Sequence, residues 1–144
     1  KSSIRYGLTY EGRLVCVMGF IKSRYNKEYD TEITRYCSLA GYNIIGGASR
    51  LFSYFRRSNP NLSVISYANR QFFDGRMYEK IGMKFERCSP PNYIWVSLVD
   101  GHTKSRYQSQ KHKLDTNMTE NDYMKSHKYI QVHDSGQKVY TYKR

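Results

Sequence analysis

The feature that most constrains this chain is a change of hydrophobic period at Gly46-Gly47. After it, Ala48, Leu51, Phe52 and Phe55 recur at i, i+3, i+4 and i+7, the stripe of an amphipathic helix, with Arg50, Arg56 and Arg57 on its other faces. Asn59-Pro60-Asn61 ends that helix. Before it, Ile4 to Tyr10 and Leu14 to Ile21 are β-rich runs around a hairpin signal at Glu11-Gly12-Arg13. Residues 22–27 read as a loop or strand extension. Tyr29 to Leu39 then alternates, with Ile33, Arg35 and Cys37 expected on one face and Glu32, Thr34 and Tyr36 on the other. A chain that passes from period 2 to period 3.6 and back must lay helices on a sheet.

The remainder follows the same logic. Leu62 to Ala68 is a buried strand, Gly75 to Ile81 a short helix stopped by Gly82, and Lys84 to Cys88 and Tyr93 to Leu98 are strands across a turn at Pro90-Pro91. The order β-β-β-α-β-α-β-β predicts an α/β (α+β) mixed sheet with two main helices. Residues 99–144 hold all four histidines and little apolar matter. They are expected to end in a hairpin, Tyr129 to His133 and Val139 to Tyr142, turned at Asp134-Ser135-Gly136. The expected organisation is a single domain, a core over residues 1–98 with residues 99–144 as a basic appendage packed on it.

Charge limits the partners. Twenty-four Lys and Arg against 12 Asp and Glu give a formal net charge of +12, which calls for a polyanion, nucleic acid first among them. Fifteen tyrosines accompany it, and Arg5-Tyr6, Arg24-Tyr25, Arg35-Tyr36 and Arg106-Tyr107 put stacking surfaces beside phosphate-binding groups. No apolar run approaches the ~20 residues of a membrane span, which predicts a soluble chain without membrane contact. Lys1-Ser2-Ser3-Ile4-Arg5 carries no secretory signal and no initiator Met, so the chain is expected to be a piece of something longer.

Three cysteines, Cys16, Cys37 and Cys88, form no C-x-x-C pair and are expected to be buried free thiols in a reducing compartment. His102, His112, His127 and His133 lack metal-ligand spacing, so no metal site is expected. The scattered carboxylates offer no Mg²⁺ cluster, so this chain is not expected to be a nuclease.

Two motifs carry a resemblance. Asn43-x-x-Gly46-x-Ala48 opens the main helix, and Met77-Tyr78-Glu79-Lys80-Ile81-Gly82-Met83-Lys84-Phe85 follows the next strand. Together, over roughly residues 4–98, they resemble the GNAT superfamily of acyl-CoA-dependent N-acyltransferases, with Asn43 where that family prefers Arg or Gln and Met83 where it prefers Phe. The resemblance implies acetyl-CoA or a related acyl-CoA as cofactor, Gly46, Gly47 and Ala48 with Arg50 at its pyrophosphate, Glu32 as base and Tyr78 as acid. Thr31 to Cys37, Ile45 to Phe52, Val64 to Arg70, Pro91-Asn92-Tyr93 and Ile130 to Tyr140 further resemble a phage-encoded, homing-endonuclease-like family. In that family such a domain follows a Vsr-like nuclease domain. Ser66-Tyr67-Ala68 and Gly75-x-x-Tyr78 are also similar to phage DNA-modification proteins of the Mom type, with Asn69 in place of their usual Asp.

Charge and resemblance together predict a DNA-binding, targeting domain of an endonuclease-type phage protein in the cytoplasm of an infected bacterium. Its partners would be duplex DNA and a nuclease domain outside this chain. The residues expected on DNA are Lys22, Arg24 and Lys27, then Arg56, Arg57, Arg70 and Arg76, and Arg106, Lys111 and Lys113 in the appendage. The alternative is a GNAT- or Mom-type N-acyltransferase acting on a nucleobase or another amine.

Overall fold

A computed structural model of the chain describes residues 3–114 and 117–143. Nine strands and three α-helices follow in order: β1 (Ser3–Tyr10), β2 (Arg13–Lys22), β3 (Thr31–Ser38), α1 (Gly47–Ser58), β4 (Val64–Asn69), α2 (Arg76–Lys80), β5 (Lys84–Cys88), β6 (Tyr93–Ser97), β7 (Thr103–Ser105), α3 (Glu120–Ser126), β8 (Tyr129–His133) and β9 (Gln137–Tyr142). They form two compact units, one of Lys1–Cys88 with Lys138–Arg144, the other Ser89–Gln137.

The first unit is a six-stranded mixed sheet in the order β1-β2-β3-β4-β9-β5. β1 and β2 are antiparallel around Glu11 and Gly12, whose φ values of 49° and 75° are those of a tight two-residue hairpin turn. β3 is antiparallel to β2 and parallel to β4, the crossover running through α1. This is an α/β arrangement, with a parallel pair joined by the Gly-Gly helix inside a mostly antiparallel sheet. α1 buries Gly47, Ala48, Leu51, Phe52 and Phe55, the stripe its period predicts. Those side chains meet Cys16, Met18, Phe20, Ile33, Val64, Ala68, Ile81, Met83 and Tyr140 in one core. Phe20 and Phe55 stack with ring centroids 3.9 Å apart. A smaller cluster, Tyr29, Ile65 and Val139 with Tyr67 against it, occupies the other face.

A β-bulge resets β3. Gly19 pairs with Arg35 but Phe20 pairs with Ile33, so Thr34 is the extra residue. Its hydroxyl donates to the Gly19 carbonyl at 3.2 Å. The strict alternation expected along this strand is therefore interrupted. Ile33 and Tyr36 both pack in the α1 core, whereas Arg35 and Cys37 line the open face with Arg24, the arginine that holds Glu32.

The second unit is a three-stranded antiparallel sheet in the order β7-β6-β8 with α3 beside β8. Trp95 is buried within it, and Glu120 is its polar hub. One oxygen of that carboxylate accepts from Tyr93 Oη (2.9 Å), Trp95 Nε1 (2.9 Å) and Ser109 Oγ (3.0 Å).

Three expectations are corrected here. The terminal strands exist but form no hairpin: β8 pairs with β6, and β9 leaves the second unit to pair with β5 in the main sheet. β5 and β6 do not pair across Pro90-Pro91 either, since β6 finds both partners inside the second unit. Finally, Cys16 is buried but Cys37 and Cys88 are exposed, the first turned outward by the bulge and the second at the end of a strand exposed throughout.

Candidate active site

β3 and β4 pair for three residues, Thr31, Glu32 and Ile33 against Val64, Ile65 and Ser66, and then part, although β3 continues to Ser38 and β4 to Asn69. A parallel pair that opens in mid-sheet leaves backbone groups and side chains facing a gap, and three of the expected site features border this one.

The first is the turn into α1. Gly46 has φ 70°, the left-handed region, and a Cβ built there meets nothing within 4 Å, so its outer side is open. No side chain caps the helix, and the N–H groups of Gly46 and Ser49 have no hydrogen-bond partner among the described residues. Gly47 is glycine for another reason. A Cβ there would lie 2.8 Å from the Tyr36 hydroxyl, 2.9 Å from Ile44 and 3.1 Å from Cys16, so this residue faces the strands and not a ligand. Tyr36, absent from the expected site, thus sits beneath the turn, with the Ala48 N–H directed at its hydroxyl; burial, then Cys16, pushes its phenol up.

The second is Tyr78. It packs against the α1-side core, stacked on Tyr140 with centroids 5.1 Å apart, and its hydroxyl contacts that of Ser66, the last paired residue of β4. Burial pushes the Tyr78 phenol up, while the Ser66 hydroxyl pulls the other way. Ser66 itself donates to the Ile33 carbonyl at 3.2 Å, across the point where the strands separate.

The third is Glu32, 1% exposed. Its register partner Ile65 belongs to the cluster on the side away from α1, so Glu32 and Tyr78 flank the parting from opposite faces. Arg24 holds the carboxylate with Nη2 at 2.5 Å and Nε at 3.3 Å, and adds its backbone N–H at 3.3 Å. Tyr67, the first β4 residue beyond the pairing, lies in the field of Glu32; burial first, then that charge, raises its phenol.

Within the first unit the basic residues expected on DNA lie on several different elements. Lys22 ends β2, Arg24 is committed to Glu32, and Lys27 Nζ folds back on the Ser23 and Arg24 carbonyls at 3.4 Å each. Arg56 and Arg57, in the last turn of α1, line a pocket of about 440 Å³ with Tyr142, and Arg56 lies 4.4 Å from that ring. Arg70 is exposed after β4, and Arg76 is paired with Asp74. In the second unit Arg106 lies over Tyr93 at 5.4 Å and Lys113 over Tyr107 at 3.3 Å; Lys111 opens the same short 3-10 turn. What does converge was partly unforeseen: Arg5 and Arg35 join Arg24 around a depression of about 440 Å³ on the open face of β1–β3. Its sign in the sequence was the Arg–Tyr pairing at Arg5-Tyr6, Arg24-Tyr25 and Arg35-Tyr36, although strict alternation put Arg35 on the same face as Ile33.

Among the described residues no three or more His, Cys, Asp or Glu side chains gather as a metal site, and no helix is long and apolar enough to cross a membrane. No protein-family model matches the chain, and no curated protein matches it in sequence. Among solved structures it is similar to a protein described as a putative GnaT-family acetyltransferase from Bordetella pertussis, with 18% identity and a TM-score of 0.48. The match covers 70% of this chain and 62% of that one, so this chain spans less than two thirds of that protein's length. A likeness of that depth speaks to neither activity nor substrate.

Proposed function

We propose that the first unit is a GNAT-type N-acyltransferase that uses acetyl-CoA or a related acyl-CoA. The observation that carries this reading is the parting of β3 and β4, bordered by the Gly46 turn, the Tyr78 phenol and the Glu32 carboxylate. The residues fit such a cofactor: Gly46 is open on its outer side, its own N–H and that of Ser49 have no partner among the described residues, and Arg50 is exposed on the same first turn. Gly46, Ser49 and Arg50 would hold the pyrophosphate, and Gly47 and Ala48 support the turn from behind. When bound, the cofactor supplies an activated acyl thioester.

The chain's own residues divide the proton work. Tyr78 is kept protonated by burial, and its Oη would donate a proton at the parting of the strands. Glu32 would take a proton from an amine arriving on the opposite face. Its carboxylate is gripped by Arg24, so its availability as a base depends on where that guanidinium goes.

Calorimetric titration of acetyl-CoA tests the reading. Saturable binding is expected, lost in Gly46→Asp, which tolerates the left-handed backbone but opposes the pyrophosphate with a carboxylate. Tyr78→Phe should bind and fail to transfer. Absence of saturable binding to the folded wild-type chain would overturn the reading. The competing function, a module that delivers a nuclease to duplex DNA, is favoured by the net charge of +12 and needs no acyl-CoA; finding DNA binding alone would select it.

A further inference from the structure

We propose that the open face of β1–β3 is a binding site for single-stranded nucleic acid, with Arg5 and Arg35 on its phosphates and Tyr25, backed by Arg24, stacking on a base. In the strand register Arg5 and Arg35 lie opposite the same residue, Gly19 of β2. Neighbouring strands are ~4.8 Å apart, so the two arginine backbones flank that glycine about 10 Å from each other. Because Gly19 carries no side chain, the space between them stays empty, floored by Val17, Thr34 and Cys37.

The electrostatics ask for an anion. The ion pairs among the described residues are Arg24–Glu32 and Arg76–Asp74, so Arg5 and Arg35 are exposed cations without a carboxylate. Guanidinium forks brought together from separate strands match phosphate oxygens, and each presents five donors. The one acid near them, Glu32, is buried and already held by Arg24. Both helices of the first unit pack on the other face of the sheet, and the two-residue β1–β2 turn adds no cover to this one.

The aromatic group makes the ligand single-stranded. Tyr25 is 74% exposed, stands edge-on to Tyr67 with centroids 6.0 Å apart, and has the Arg24 guanidinium 5.1 Å from its ring. A ring fixed by its neighbours but free on one face suits an unstacked base, and bases in a duplex do not offer that face.

This site does not rest on acyl transfer. A chain that bound oligonucleotide here but no acetyl-CoA would keep this inference and lose the proposed function.

Fluorescence anisotropy with a labelled oligothymidine of about 12 nucleotides provides the test. The double variant Arg5→Glu/Arg35→Glu should weaken binding at least ~10-fold and lower the salt slope by about 1.4, the loss of two phosphate contacts. The control Arg56→Glu/Arg57→Glu carries the same charge change elsewhere and should stay within about 3-fold of wild type. Tyr25→Ala should weaken binding about 5- to 100-fold with the salt slope unchanged. Equal loss in both charge-reversed variants, a matched duplex binding as tightly as the single strand, or binding of inorganic phosphate without oligonucleotide would each overturn the proposal. Circular dichroism accompanies each variant, and Arg5→Ser/Arg35→Ser, with the same ~10-fold loss expected, replaces the charge reversal should that disturb the fold.

Discussion

Consider removing Arg24 while leaving Glu32 in place. In Arg24→Met the buried carboxylate loses donors at 2.5 and 3.3 Å and keeps only the backbone N–H of residue 24. Removing one partner of a buried pair costs 3–5 kcal/mol, but here the Arg24 side chain is 44% exposed, so water can replace part of what is lost. The expected destabilisation is therefore about 2–3 kcal/mol. Glu32→Gln keeps the shape, removes the charge and leaves a guanidinium that water reaches, so about 1 kcal/mol is expected. The double variant should show a coupling of about 1–2 kcal/mol. Urea unfolding followed by circular dichroism measures all three; fluorescence of Trp95 would not, because that residue lies in the second unit. A cost for Arg24→Met below about 0.5 kcal/mol would refute the claim that Glu32 is a buried, dependent charge.

Other outcomes follow from separate parts of the molecule. In the second unit burial of Glu120 acts to raise its carboxyl, yet hydrogen bonds from Trp95, Tyr93 and Ser109 prevail and lower it. A depressed folded value means stability present above the ordinary pH of about 4.5 and lost as pH falls through the folded value, which Trp95 fluorescence should report and Glu120→Gln should abolish. Gly47→Ala should destabilise by about 1–3 kcal/mol through overpacking, and Gly46→Ala by about 1 kcal/mol through backbone strain alone, both read from thermal melts. Phe55→Ala, deleting a ring stacked on Phe20, should cost about 3–5 kcal/mol in the same assay. Under native conditions Cys37 and Cys88 should react with a thiol reagent and Cys16 only after unfolding, as counted by absorbance.

Local signals were readable where one rule acted alone. The α1 stripe, the Glu11-Gly12 turn and the strands on either side of the helix follow from period and turn chemistry. Long-range pairing was not readable: Val139 to Tyr142 has the pattern of a strand, but nothing local says that it joins β5 instead of β8. The Thr34 bulge was equally silent, and it decides which of Ile33, Arg35 and Tyr36 faces the core. In the candidate site, Gly46, Tyr78 and Glu32 were picked out by their motifs, while the parting of β3 and β4 comes from pairing that no motif encodes. Arg35, Tyr36 and Tyr67 were visible only as members of Arg35-Tyr36 and Ser66-Tyr67-Ala68, because the direction each faces comes from register. Helix α3 and strand β7 are short, and the sequence marks them weakly beside their polar neighbours.

The place of β9 has a consequence for how the molecule is made. It lies inside the main sheet, between β4 and β5, yet leaves the ribosome after every other strand of that sheet. Until then β4 and β5 have no partner between them, so this sheet cannot close by growing outward from the hairpin. The forty-nine residues of Ser89–Gln137 come first, as a unit of short-range pairings that can form while the slot waits. Closing this sheet therefore waits on a long-range insertion, the slowest kind of contact to make. Deletion of β9 would leave two naked edges in the middle of the sheet, and aggregation, not partial activity, is the expected result.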